Sequence, residues 1–306
     1  MVEIQAFDPA PKEHREPEQI RREREVVAEQ ITRWLAERAE IGVQALESRA
    51  VERFVARRSG TALPPFEEDG DSGALVVPGR VVVLTDALDD AQVGLDHRRQ
   101  LGESGLFAVT VPGLEGVRVL EEVAAPRRRR SARETIDIAR GVLGDGAEIA
   151  KCHMFPLSAV YKADGGPEPS GPAGGEEPWT PPVEDVRGPK VVVIDTGVSA
   201  EQRADGWLVG LARADNLDLL DVVPVDDFLD LAAGHGQFVA GVIQRVAPGA
   251  DLDVLRGLDT DGFGDEVELA RLIVAAARAG ARIINLSLGT FTADDRPPLL
   301  LQQALR

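Results

Sequence analysis

The stretch of sequence that decides the fold is residues 191–197, which read VVVIDTG. Its first four residues are an uninterrupted apolar run, typical of a strand buried on both faces of a parallel sheet. Asp195 comes at the carboxyl end of this strand, where open α/β sheets place functional groups. Gly197 permits a sharp turn directly afterwards. Alone, the pattern also fits nucleotide and metal sites, so it predicts an α/β fold with a candidate acidic residue.

A histidine opens the next clear helical pattern. Residues 234–243 read GHGQFVAGVI, and their apolar character predicts a helix that packs on the sheet. The small residues Ala240 and Gly241 allow close packing. His235 is then expected at the helix N-terminus, at the edge of the core. If a buried Asp195 holds one nitrogen of its imidazole, the other nitrogen can act as a general base.

The remaining α/β elements follow in order. Residues 246–250 read VAPGA and predict a turn before a strand at 252–255. A glycine-containing loop, DGFG, occupies 261–264. A helix is predicted over 267–279 and a strand over 281–286, which ends at Ser287, Leu288 and Gly289.

In this order and context, these segments resemble the subtilisin-like serine proteases (subtilases, peptidase family S8). The resemblance covers about residues 190–306 and the N-terminal half of that family's catalytic domain. It implies a doubly wound, mostly parallel α/β sheet of subtilisin type, here incomplete. It also implies a serine endopeptidase that hydrolyses peptide bonds through an Asp-His-Ser triad.

The resemblance assigns roles to individual residues. Asp195 would orient the imidazole, and His235 would be the base that activates the nucleophile. The residues that it implies to contact substrate are Gly262, Gly264, Ser287, Leu288 and Gly289. The family often reads His-Gly-Thr-His from the catalytic histidine onward, whereas Gln237 and Phe238 occupy the last two places here. Phe238 is expected to keep an apolar contact inside the domain.

The resemblance also implies a nucleophilic serine in a Gly-Thr-Ser segment, and that triplet does not occur in residues 1–306. Ser199 and Ser287 are poor substitutes, because one follows the Asp195 turn and the other belongs to a pocket wall. We therefore expect the 306-residue chain alone to be inactive, with the serine encoded downstream or supplied by a complementing chain. A sheet that lacks some of its strands would also expose an apolar edge. We therefore expect neighbouring elements to bury the following residues only in part: Val191, Ile194, Val254, Ile283 and Ile284.

Composition shifts predict the organisation of the chain. The segments are an N-terminal helical segment at 1–60, a linker at 61–74, a small α+β propeptide-like domain at 75–162, a Pro/Gly-rich linker at 163–189 and the truncated peptidase domain at 190–306. In the small domain, strands are predicted at 80–85, 107–111, 117–120 and within 147–161, with helices at 91–101 and from Ser131 to Leu143. This β-α-β-β-α-β order indicates a ferredoxin-like fold. Ser131 and Glu134 form a capping-box pattern.

Charge and cysteine content narrow the function classes. The net charge of −18 argues against a nucleic-acid partner, and a single cysteine, Cys152, excludes an internal disulfide framework. No apolar stretch approaches the length of a membrane span, and no signal peptide is visible, so a cytoplasmic location is expected unless the start codon is wrongly assigned. The basic run 127–130 fits a solvated loop, a processing site or an anchor for acidic surface.

No cofactor is predicted. Many subtilases bind calcium, but no Asp cluster here maps onto a specific calcium site. The acidic residues between the two motifs are expected to form a solvated loop: Asp215, Asp218, Asp221, Asp226 and Asp227.

Three functions fit the sequence. The first is a subtilisin-class endopeptidase that acts on peptide or protein substrates and whose serine lies outside 1–306. The second is a non-catalytic subtilase-derived protein that binds peptides by strand addition or serves as one subunit of a split protease. The third is an unrelated α/β domain, which would be favoured if replacing His235 had no effect on an active form.

Overall fold

A computed structural model of the chain describes residues 66–70, 72–84, 86–89, 93–123, 129–157, 188–198, 214–218, 232–292 and 296–306, together with positions 18, 29, 32, 36, 40, 208, 210, 211 and 230. The five most N-terminal positions are helical. The rest of the predicted N-terminal helices, residues 163–187 of the Pro/Gly-rich linker and Ser199 lie outside the described residues.

The described strands are β1 (Glu67–Glu68), β2 (Leu75–Leu84), β3 (Leu106–Thr110), β4 (Val117–Glu122), β5 (Glu148–Pro156), β6 (Lys190–Asp195), β7 (Asp251–Arg256), β8 (Phe263–Asp265) and β9 (Ile283–Leu286). The described helices are α1 (Val93–Glu103), α2 (Ala132–Leu143), α3 (His235–Val246), α4 (Glu266–Arg278) and α5 (Leu299–Ala304). The helices and strands predicted between residues 80 and 286 are present, with boundaries shifted by a few residues.

Local sequence signals explain several of these boundaries. Helix α2 begins after Ser131, whose hydroxyl accepts the Glu134 N–H at 3.1 Å, while the Glu134 carboxylate accepts the Ser131 N–H at 2.8 Å. The predicted capping box is therefore confirmed, and a cap of this kind typically contributes about 1 kcal/mol. Helix α4 begins after Asp265, whose carboxylate accepts two backbone N–H groups of its first turn.

The N-terminal unit is an antiparallel sheet with two helices on one face. Its strand order is β3-β4-β2-β5, and the chain runs β2-α1-β3-β4-α2-β5. This is the β-α-β-β-α-β connectivity of a ferredoxin-like unit. Alternation along β2 separates the two faces, because Val81 and Val83 pack with α1 and α2 whereas Val82 joins the opposite cluster. Within the predicted linker 61–74, Glu67–Glu68 is not unstructured but pairs with the start of β2.

The C-terminal unit is built on a parallel sheet of order β7-β6-β9. Val192 and Ile194 share a buried cluster with residues of α4, while Val193 shares one with Ala240 of α3. Each helix therefore covers a different face of β6. The α/β class predicted from the VVVIDTG strand is confirmed. A doubly wound sheet of subtilisin type stays a prediction, because the described sheet has three strands.

Strand β8 joins the two units. It pairs antiparallel with the end of β5, so that a strand from the C-terminal segment extends the N-terminal sheet. The second face of that sheet packs on α4 and α5, in one cluster that includes Met154, Phe263, Ala270 and Leu300. The two units consequently share a hydrophobic core.

A buried carboxylate reinforces this junction. Glu266 has no exposed surface. Its Oε2 accepts the backbone N–H of His153 in β5 at 3.0 Å, and its Oε1 accepts the Leu300 N–H in the first turn of α5 at 2.7 Å. One side chain thus ties the N-terminal sheet to two helices of the C-terminal unit.

The expected apolar edge is only partly present. Val191, Ile194 and Val254 are buried, so the prediction that they lack cover is wrong. Val191 and Ile194 lie on the central strand β6, whereas Val254 of β7 is covered in the cluster that contains Ala240 of α3. Ile283, on the outer strand β9, is 53% exposed. Among the described residues, no helix combines the length and apolar character needed to cross a membrane.

Candidate active site

The two chemistry-bearing motifs meet at the carboxyl end of β6. Asp195 is the last residue of that strand and is fully buried, whereas the His235 side chain, at the first position of α3, keeps 19% of its surface exposed. His235 Nδ1 lies 2.8 Å from Asp195 Oδ1 and 3.0 Å from Oδ2. A carboxylate can only accept, so the contact places a proton on Nδ1 and leaves Nε2 as the proton acceptor.

Two glycines allow this close approach. A Cβ atom at Gly236 would lie 2.3 Å from the Gly197 carbonyl oxygen, and one at Gly197 would lie 2.4 Å from the Asn216 carbonyl oxygen. Gly197 also has a φ of +104°, which favours glycine. The glycines of the Asp-Thr-Gly and His-Gly patterns are therefore needed for packing. Without side chains there, the first turn of α3 can contact the turn after β6 directly.

An extended segment lies against the loop before β8. Phe155 and Pro156 of β5 pair with Gly264 and Phe263, and the Leu157 N–H donates to the Gly262 carbonyl at 2.8 Å. The structure therefore brings both predicted glycines, Gly262 and Gly264, to the backbone of an extended strand.

The same segment is also bounded on its other side. Leu157 forms an antiparallel bridge with Leu288, and the Gly289 N–H donates to the Pro156 carbonyl at 3.1 Å. The end of β5 is thus held between β8 and residues 288–289. The space between β8 and residues 288–289 is a groove that the end of β5 occupies.

The groove lies next to the region that leads into α3. A Cβ atom at Gly262 would lie 2.9 Å from Leu157 Cγ and 3.0 Å from the Cβ of Ala232. Ala232 in turn donates its N–H to the Thr260 carbonyl at 2.8 Å and accepts the His235 N–H at 3.0 Å. Backbone hydrogen bonds therefore connect the groove wall to the histidine.

Some expectations for this site are wrong. Phe238 is 50% exposed, because α3 turns Gly236, Ala240 and Gly241 inward. For Ser287, a substrate contact stays a prediction: its hydroxyl donates to Asn285 Oδ1 at 3.1 Å, and its neighbours Leu288 and Gly289 contact β5. Asp218 was expected in a solvated loop but is buried beside the Asp195 turn, while Asp215 is exposed as expected.

Sequence reasoning missed two features of the site. Asp218 and Thr196 form a buried hydrogen-bonded link around the Asp195 turn, and no spacing rule marks either residue. The occupant of the groove, the end of β5, was also missed. The apolar residues at the end of β5, just before the predicted linker, were the signal that this segment packs against another part of the chain. In the described part of the chain, no group of three or more His, Cys, Asp or Glu side chains is arranged to hold a metal ion.

Comparisons with known proteins show which family this part of the chain resembles. Residues 186–304 match the family model of the Subtilase family. A thermophilic serine proteinase of Bacillus sp. (strain AK1) is 35% identical over 114 residues, covering 33% of this chain and 26% of that protein. Thermitase of Thermoactinomyces vulgaris is 31% identical over 118 residues, covering 33% of this chain and 38% of that protein.

A solved structure is also similar. The crystal structure of fervidolysin from Fervidobacterium pennivorans, a keratinolytic enzyme related to subtilisin, has 14% sequence identity and a TM-score of 0.44, covering 78% of this chain and 39% of that one.

The residues that match the family model, 186–304, include both motifs. This chain spans 26% to 38% of their lengths. Residues 186–304 are therefore similar to the subtilases, a likeness that covers less than half of this chain.

Proposed function

We propose that this chain is the Asp- and His-bearing part of a subtilisin-class serine endopeptidase. The observation that carries the proposal is the contact of His235 Nδ1 with both carboxylate oxygens of the fully buried Asp195, at 2.8 and 3.0 Å. Asp195 would hold the imidazole in one tautomer and stabilise the imidazolium that forms during the reaction. The groove between β8 and residues 288–289 would hold the substrate in an extended conformation.

The proposed reaction begins when His235 Nε2 takes the proton of a serine hydroxyl. The serine oxygen attacks the carbonyl carbon of the scissile bond, and the imidazolium then returns the proton to the leaving amine. This step leaves an acyl-enzyme. Water, deprotonated by the same imidazole, then attacks the acyl group and releases the carboxylic acid and the serine.

The nucleophile is proposed to come from outside residues 1–306. Each of the four described serines hydrogen-bonds to a group other than His235: Ser72 to Asp69, Ser104 to the Gln100 carbonyl, Ser131 to Glu134 and Ser287 to Asn285. Without the nucleophile the covalent route does not exist. Residues 1–306 alone are therefore expected to be inactive, whether the serine is encoded downstream or supplied by a complementing chain.

The test compares two proteins on a chromogenic peptide substrate. One is residues 1–306, and the other is the gene product as its source organism makes it. We expect hydrolysis only by the latter, and its loss by about 10⁴- to 10⁶-fold in the variant His235→Ala, as is general for triad residues. Activity of the gene product that survives His235→Ala would reject the proposal and favour an unrelated α/β function.

We further propose that residues 75–162 act as a propeptide-like domain whose last strand fills the substrate groove. The support is that the end of β5 makes backbone hydrogen bonds on both sides, to Gly262 and from Gly289. An occupied groove excludes a substrate strand that would use the same groups. The non-catalytic alternative, a peptide-binding subunit, would use this groove without the triad.

Hydrogen exchange tests occupancy of the groove in residues 1–306. The amides of Leu157 and Gly289 are expected to exchange roughly tenfold or more slowly than unprotected amides, and Leu157→Asp should release both. Leu95→Asp, on an exposed position of α1, serves as the control that leaves both amides protected. Fast exchange of both amides in the unmodified chain would show that β5 does not fill the groove.

A further inference from the structure

A buried carboxylate accepts hydrogen bonds from the residues next to Asp195 and His235 in the sequence. Asp218 is 1% exposed. Its Oδ2 accepts the Thr196 hydroxyl at 2.8 Å and the Gly234 N–H at 2.7 Å. It therefore contacts both the residue after Asp195 and the residue before His235.

Thr196 completes the link between the turn and the helix. Its hydroxyl oxygen accepts the Gly236 N–H at 3.1 Å, and its own N–H donates to Asp195 Oδ1 at 2.7 Å. Because a carboxylate can only accept, the single hydroxyl proton of Thr196 must point to Asp218. A lone pair of the Thr196 hydroxyl oxygen is then left to accept the Gly236 N–H. Asp218 therefore fixes the orientation of the Thr196 hydroxyl between the turn and α3.

The backbone around Asp218 is itself fixed to the turn. The Asp218 N–H donates to the Val198 carbonyl at 3.0 Å, and the Val198 N–H donates to the Asn216 carbonyl at 3.0 Å. The carboxylate is thus presented by a short parallel segment bonded to the continuation of β6, rather than by a free loop. Burying a charge is costly unless hydrogen bonds compensate it. The hydrogen bonds that Asp218 accepts from Thr196 and Gly234 supply this compensation.

We propose that Asp218 is a positioning residue for the Asp195–His235 pair. It sets the separation between the turn at 195–197 and the start of α3 by bonding to Thr196 on one side and to Gly234 on the other. The proposal rests on the proposed function only in taking His235 as the base. The contact of His235 Nδ1–H with Asp195 therefore depends on Asp218, which acts through Thr196.

The test is an NMR measurement on residues 1–306 labelled with ¹⁵N-histidine. The imidazole Nδ1–H proton of His235, identified by its absence in His235→Gln, reports the contact with Asp195 without any need for activity. We expect this signal in the unmodified chain. In Asp218→Ala and Thr196→Val, we expect roughly tenfold faster exchange of this proton with water, as the loss of about one hydrogen bond implies.

Two further variants separate positioning from a general loss of stability. Asp218→Asn keeps an acceptor oxygen for both donors and is expected to retain the signal. Asp253→Ala removes another buried carboxylate, on the neighbouring strand β7, and is also expected to retain it. If Asp218→Ala does not fold, Thr196→Val decides, because valine is nearly isosteric with threonine and lacks only the hydroxyl.

An unchanged signal in folded Thr196→Val would overturn the inference, and so would loss of the signal in Asp253→Ala. Absence of the signal from the unmodified chain would overturn it as well. Failure of the proposed function is seen separately, as hydrolysis that does not depend on His235, and it would leave this signal untouched.

Discussion

Replacing Asp195 by asparagine is expected to lower the proposed peptide-hydrolysis kcat by about 10⁴-fold, measured on the gene product as its source organism makes it. The substitution preserves the shape of the side chain. However, its amide NH₂ can donate to Nδ1, which favours the tautomer that carries the proton on Nε2. That tautomer cannot accept the proton of the serine. KM should change little, because the groove residues Gly262 and Gly289 are untouched.

The matched control is Asp253→Asn, which alters a buried acid on the adjacent strand β7, away from the histidine. It should leave kcat within a few-fold of the unmodified protein. Equal loss of kcat in both variants would mean that the effect arises from the fold of the sheet. A fully active Asp195→Asn protein would remove Asp195 from the reaction altogether.

Replacing Glu266 by alanine is expected to lower the free energy of unfolding of residues 1–306 by about 2–4 kcal/mol. The variant leaves the buried N–H groups of His153 and Leu300 without their acceptor, and each unsatisfied group costs about 1–3 kcal/mol. It also leaves a cavity at the junction of the two units. The measurement is the midpoint of urea denaturation, followed by far-UV circular dichroism.

The neighbouring Glu268 provides the comparison, because its partly exposed carboxylate pairs with Arg271 on the surface of the same helix. Glu268→Ala is expected to cost less than about 0.5 kcal/mol. Glu266→Gln, which keeps one acceptor oxygen, should fall between the two. A Glu266→Ala protein as stable as Glu268→Ala would show that the carboxylate does not join the units.

Much of the fold could be predicted because its signals are local. The VVVI run before Asp195 indicates a buried strand by composition alone, and Ser131 with Glu134 marks the start of α2 by a hydrogen-bonding pattern within four residues. The pairing of Asp195 with His235 was predictable in a different way. Two motifs in order identify a known arrangement, although neither one alone would have done so.

The remaining features depend on contacts between residues distant in sequence. The pairing of β5 with β8 joins Phe155 to Gly264, and no local pattern specifies that register. Asp218 looks like a solvated acid from its neighbours, and only the position of the Thr196 turn reveals its burial. The exposure of Phe238 has a similar cause, because periodicity shows that α3 has an apolar face and does not show how much of that face is covered.

The most direct test of the central claim is to label the gene product, as its source makes it, with a fluorophosphonate probe and to locate the modified residue by mass spectrometry. The probe reacts with serines that an adjacent base activates. We predict one labelled serine, outside residues 1–306 and in a Gly-Thr-Ser context, with labelling lost in His235→Ala. Labelling that persists in His235→Ala, or a complete absence of labelling in a soluble and folded gene product, would contradict the account.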